Sequence, residues 1–90
     1  MTITVSRKDF RQVRIPDDNT LEDGTEAIGI RAHVDLHVPY GADNIIIPIE
    51  TPGLWGIEHY VDDYYADEVF DDECDTLVTI LEELGVTVVD

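Results

Sequence analysis

The chain predicts an α+β domain, an antiparallel sheet of three to five strands with one C-terminal helix packed across one face. Three observations carry this reading. From Glu26 to Val38 apolar and polar residues alternate, the two-residue period of a strand with one wet face. Between residues 62 and 84 the apolar residues recur at helical spacing instead. At 90 residues the chain supports one hydrophobic core and not two, so 1–90 is read as a single domain.

Taken in order, the segment TITV at 2–5 and FRQVRI at 10–15 are both strand-like, with SRKD between them as a bend. One bent strand or a small hairpin over 2–15 is the expectation. PDDNTLEDGT at 16–25 carries Pro, Asn and Gly and is read as a loop. In the next strand, about 26–38, Ile28, Ile30, Ala32, Val34, Leu36 and Val38 share one face, while Arg31, His33, Asp35 and His37 share the other. PYGAD at 39–43 supplies a turn, and NIIIPIE at 44–50 returns as a strand whose Pro48 favours an edge or a bulge. GLWGIE at 53–58 predicts a short strand, its glycines letting the backbone approach a neighbour closely. In so small a core Trp55 is expected to be buried, welding helix to sheet.

Successive steps of about 100° along residues 62–84 gather Ala66, Phe70, Leu77, Leu81 and Leu84 into one stripe, flanked by Cys74 and Ile80. The opposite face collects Glu68, Asp71, Asp72, Asp75, Glu82 and Glu83, with Tyr64, Tyr65 and Thr79. Asp62 and Asp63 suit the helix N-terminus and Gly85 suits its stop. Glu82 and Glu83 oppose the helix dipole, a sign that charge here serves something other than the helix. VTVV after Gly85 predicts a short strand at 86–89.

Charge is the outlier of the composition. The formal net charge is -16, and the five cations (Arg7, Lys8, Arg11, Arg14, Arg31) all lie before residue 46, whereas the thirteen acids after it face no Lys or Arg. Such a field repels phosphate backbones and anionic membranes, which excludes direct nucleic-acid and membrane binding. It attracts basic protein surfaces. No apolar run reaches membrane-spanning length, MTITVSRKDF lacks a signal-peptide core, and the one cysteine, Cys74, permits no internal disulfide. The expected location is the cytoplasm.

Constellations that carry chemistry are sparse. His33, Asp35 and His37 form H-x-D-x-H on one strand face, but i to i+4 on a strand spans roughly 13 Å, too far for two side chains to share an ion easily. DDYYADEVFDDECD is rich in oxygen ligands yet lacks the glycine turn of a calcium loop. No metal or cofactor is expected. Paired carboxylates on a solvated helix have neither cleft nor raised pKa, and Cys74 has no cation near it in sequence. No catalytic residue is assigned, and the chain is read as a non-enzyme.

The carboxylate ridge has two readings. It is a solvated helix face, or it stands in for the phosphates of a nucleic acid against the basic surface of a nuclease or another nucleic-acid-binding protein. Tyr60, Tyr64 and Tyr65 add the interface area that the second reading needs. The partner-binding candidates are Glu68, Asp71, Asp72, Asp75, Glu82, Glu83, Tyr64 and Tyr65. The sequence also admits a homodimer.

Gly53, Leu54, Trp55, Gly56, Ile57 and Glu58, with Tyr65, Val69, Glu73, Leu77, Leu81 and Gly85 behind them, resemble a family of small proteins of bacterial phages and integrated mobile elements. That family carries an S-G-G-L-W-G-I-E-S-like motif, then acids, then a Glu-rich helix with a Tyr near its start. KDFRQVRI and EAIGIRAHVDLHV look like its two preceding strands, so the similarity covers most of the chain. Thr51 and Pro52 depart from the usual small residues, and the helix lacks the lysines common in the family. The resemblance implies a phage or mobile-element origin and no reaction. The expected function is therefore a non-catalytic, protein-binding accessory factor that inhibits a host defence or nucleic-acid-binding protein by charge mimicry. The alternative is a structural domain adapted for solubility in a high-salt host.

Overall fold

A computed structural model describes residues 3–20, 24, 26–59 and 61–90, with the backbone alone at 18–20. Its elements are β1 (Thr4–Ser6), a 3-10 turn (Arg7–Asp9), β2 (Arg11–Thr20), β3 (Glu26–Tyr40), β4 (Asp43–Glu50), β5 (Leu54–Glu58), α1 (Asp63–Glu83) and β6 (Thr87–Val89). The architecture is α+β, a four-stranded antiparallel sheet plus a parallel pair, with α1 against β3.

β3 is the axis of the sheet. One edge pairs with β2, and the other takes β4 along its second half and β5 along its first. The residues facing α1 are those the alternation selects, with Ile30, Ala32, Val34 and Leu36 buried. Ala32 exchanges bonds with Thr51, so its N–H and C=O point to the β4–β5 edge. Strand geometry then turns those of every even residue of β3 the same way. It follows that Pro48, opposite Asp35, and Pro16, opposite Ile28, both turn their imino nitrogens to open edges, where a missing N–H costs nothing.

Over its described residues, 3–15, the N-terminal segment expected as one bent strand or a hairpin over 2–15 is neither. Ser6 caps the 3-10 turn by accepting from the Lys8 N–H at 3.2 Å, and the turn sends the chain elsewhere. β1 pairs in parallel with β6, Val5 opposite Val88, while β2 joins the main sheet. The loop expected at 16–25 is also shorter than predicted. β2 continues to Thr20 through a register shift between Asp17 and Thr20, and residues 21–23 and 25 lie outside the described residues.

The core lies along α1 in two clusters. Leu77, Leu81 and Cys74 pack with Phe10, Val34, Leu36 and Val86, and Ala66 and Val69 pack with Ile30 and Ile57. Asp62 caps the helix by accepting from the Tyr65 N–H at 2.7 Å. At the other end Gly85 has φ 86°, and the N–H groups of Gly85 and Val86 donate to Glu82 O and Leu81 O at 3.0 and 2.9 Å. This pair of bonds closes the helix, and the contact of Val86 with Leu81 seals it. Leu84 does not belong to the buried stripe as its spacing suggested. It lies past the last helical turn, as the C-cap, and is 60% exposed.

Candidate partner-binding surface

α1 holds its carboxylates in order because its other face is fixed at several points. Besides the apolar contacts, Glu73 lies in the middle of the apolar stripe, where its Oε1 accepts from the Thr51 hydroxyl at 2.6 Å. Along the flank, Gln12 Nε2 donates to Asp67 Oδ1 at 3.5 Å, and Arg14 stands 3.5 Å from Asp63. The face opposite carries Glu68, Asp71, Asp72, Asp75, Glu82 and Glu83, all exposed, with Tyr64 and Tyr65 beside its first turn. With a rise of about 1.5 Å per residue these acids span about 22 Å, or one charge per ~4 Å. The axial charge spacing of a single DNA strand is about 3.4 Å.

Ion pairing divides the acids into two classes. Arg7 binds Asp75 at 2.7 Å, Arg11 approaches Asp35 at 3.5 Å, and Arg31 binds Glu50 at 2.7 Å. With Arg14 at Asp63, all four arginines are committed within the chain. Among the described residues none of them pairs with Glu68, Asp71, Asp72, Glu82 or Glu83. Asp75 is thus the one ridge residue neutralised from within, and its hydrogen bond is the main reason that the Arg7 pKa is raised.

No family model, curated protein or solved structure matches the chain. The assignment of a site therefore rests on the geometry.

Trp55 departs from expectation. It is not a core residue but 41% exposed, lying on the sheet face away from α1. One residue of β3, Gly29, opposes two of β5, Trp55 and Gly56, between the Ile28–Ile57 and Ile30–Leu54 pairs, a bulge at Gly56, whose φ is 76°. This turns the indole over Gly29, where any Cβ would collide with the ring. The indole Nε1 donates to Pro52 O at 2.8 Å, and the Arg31 guanidinium sits 5.3 Å from the ring centroid. Leu54, Trp55, Gly56, Ile57, Glu58, Val61 and Tyr65 line a cleft of about 380 Å³ at the N-terminal end of α1. Tyr65 is thereby shared between cleft and ridge. Tyr60 lies outside the described residues.

The H-x-D-x-H face is an ion-pair network. The two ring nitrogens of His33 stand 2.8 Å from Asp35 Oδ1 and 3.1 Å from Glu50 Oε1, and His37 is exposed. Hydrogen bonds from Arg31, then His33, hold the Glu50 carboxyl below the usual carboxylate range. Cys74 does have a cation nearby, contrary to its sequence surroundings, because the 3-10 turn brings Arg7 close. Burial nevertheless dominates and pushes the thiol up to about 11, so the thiolate that a nucleophile requires is scarce at neutral pH.

Sequence reasoning missed the Thr51–Glu73 bond and the Arg7–Asp75 pair. A signal for the first was present, since a glutamate in the centre of an apolar helical stripe needs a partner. For the second there was none, because it joins residues 68 positions apart.

Proposed function

We propose that the chain is a non-catalytic, protein-binding factor of phage or mobile-element type, which lays the α1 ridge against the basic surface of a host nuclease or other nucleic-acid-binding protein in place of nucleic acid. The observation that carries this reading is the division of the acids. Every arginine is spent on Asp35, Glu50, Asp63 or Asp75, while Glu68, Asp71, Asp72, Glu82 and Glu83 stay exposed on one rigid helix. Ordered carboxylates lose little conformational entropy on docking. Tyr64, 76% exposed, and Tyr65 supply aromatic contact area at one end of the ridge. Such a factor acts where its target does, in the host cytoplasm.

The test is retention of a basic nucleic-acid-binding protein from host lysate on the immobilised domain, with elution by duplex DNA. Asp71→Lys combined with Asp72→Lys is expected to abolish retention while leaving the fold intact. Retention that survives this reversal, or that DNA does not compete, sinks the mimicry reading.

A second reading is favoured by composition. Lys8 is the chain's one lysine, as suits a surface that must stay hydrated in a high-salt cytoplasm. On that reading stability climbs steeply from low to molar KCl, and no basic protein is retained.

A further inference from the structure

A run of exposed apolar residues lies away from the ridge, on the β3–β4 hairpin. In β4, Ile45, Ile46 and Ile47 are 42%, 57% and 42% exposed, and Tyr40 at the hairpin end is 71% exposed. Among the described residues β4 pairs on one edge alone, with β3. Since Thr51 bonds inward to Ala32, strand alternation turns the backbone groups of Asn44, Ile46, Pro48 and Glu50 outward. The molecule is elongated, 52 × 23 × 19 Å with a radius of gyration of 15.4 Å, against about 12 Å for a compact chain of this size.

We infer that β4 is a self-association edge, taking a second copy of this chain as an antiparallel neighbour centred on Ile46. Charge selects that occupant. Residues 38–49 hold a single formal charge, Asp43, in a chain of net charge -16, so a basic partner gains little here, and two copies meet here with the least repulsion. The register supports it as well. With the two-fold axis at Ile46, the two Ile46 residues exchange both backbone bonds, and Asn44 of each copy donates to the Pro48 carbonyl of the other, which needs no N–H from the proline. Ile45 then stands opposite Ile47 of the second copy on one face, and the two Ile46 side chains meet on the other. The pair closes after one step, because an isologous contact uses the same edge twice. On the opposite edge of the sheet β2 turns Gln12, Arg14 and Pro16 outward, and a charge and a proline there discourage further strand addition.

This inference is independent of the ridge reading. Sedimentation of the full chain is expected to give a species of twice the 10.1 kDa monomer mass. It should gain population as salt rises toward about 1 M, where the screening length falls to about 3 Å and the repulsion between copies fades. Ile46→Lys is expected to return the chain to monomer with an unchanged circular dichroism spectrum. For register, Cys74 is buried and stays silent, so an introduced thiol reports alone. Ile46→Cys should form an intermolecular disulfide under mild oxidation, because facing residues of a bonded pair lie about 5.5 Å apart. Asn44→Cys should not, because its two copies lie about 14 Å apart in this register. A monomer at every salt concentration overturns the proposal, as does a ladder of higher species, or crosslinking of Asn44→Cys as fast as Ile46→Cys.

Discussion

The hydroxyl of Thr51 joins sheet to helix, accepting from the Ala32 N–H at 3.0 Å and donating to Glu73 Oε1 at 2.6 Å. Thr51 is 1% exposed, the one buried polar residue among those described. Its side chain takes the place of a backbone carbonyl in the ladder, just where β4 ends and the chain loops toward β5. The bond to Glu73 adds a directional tie to the apolar contacts that hold α1 over the sheet with the ridge facing outward.

Removal of that hydroxyl leaves a buried amide and a carboxylate short of a partner. Thr51→Val, of nearly the same shape, is expected to cost about 2 kcal/mol, a fall in Tm of about 10 °C for a chain of this length. Thr51→Ser keeps the oxygen and should lose much less. Thermal unfolding followed by circular dichroism measures both, and equal Tm values for Thr51→Val and the unchanged chain would contradict the role given to the hydroxyl.

Trp55 is the chain's single tryptophan, so its emission reports on the bulge directly. A Cβ at position 29 would lie 2.6 Å from its Cδ2, and the ring must lift. Gly29→Ala is expected to shift the emission to longer wavelength and to destabilise the domain. An unchanged spectrum would mean that the indole does not rest on Gly29.

Acid should weaken the network on the outer sheet face. Because the Glu50 pKa is lowered in the folded state by Arg31 and His33, its contribution is present above the ordinary carboxylate pKa and is lost as pH falls through the depressed value. The stability difference between the unchanged chain and Glu50→Gln should therefore be full near neutrality and vanish in strong acid. Urea titrations across that range test it, and a difference that grows with acidification would reverse the sign.

Asp75 and Asp71 share the ridge but should differ in their effect on folding. Asp75→Ala breaks the pair with Arg7, whose side chains are 69% and 37% exposed, and is expected to cost at most about 1 kcal/mol. Asp71→Ala removes a charge that has no ion-pair partner among the described residues and only a weaker, longer-range attraction to Arg7, and should be close to neutral. Chemical denaturation of the two variants separates them, and equal shifts would argue against the division of the ridge into paired and unpaired acids.

Much of this was legible because it is local. The alternation in β3, the Asp62 cap, the Gly85 stop, the edge position of Pro48 and the outward face of α1 each depend on residues within a few positions of one another. Leu84 misled because spacing continues past a helix end while burial does not. Trp55 misled because its size argues for a core, whereas the bulge at Gly56 turned it onto the other face.

By itself the sequence determined the α+β class, the faces of β3 and α1, and the segregation of acids into the second half, since period and charge are properties of the chain as written. Only the tertiary structure decided that β1 leaves the N-terminal segment to pair with β6, that Glu73 meets Thr51, that Arg7 spends itself on Asp75, and that three isoleucines of β4 are left uncovered by the chain's own helix. Periodicity tells which way a side chain points. What it meets there depends on which distant element comes to lie alongside.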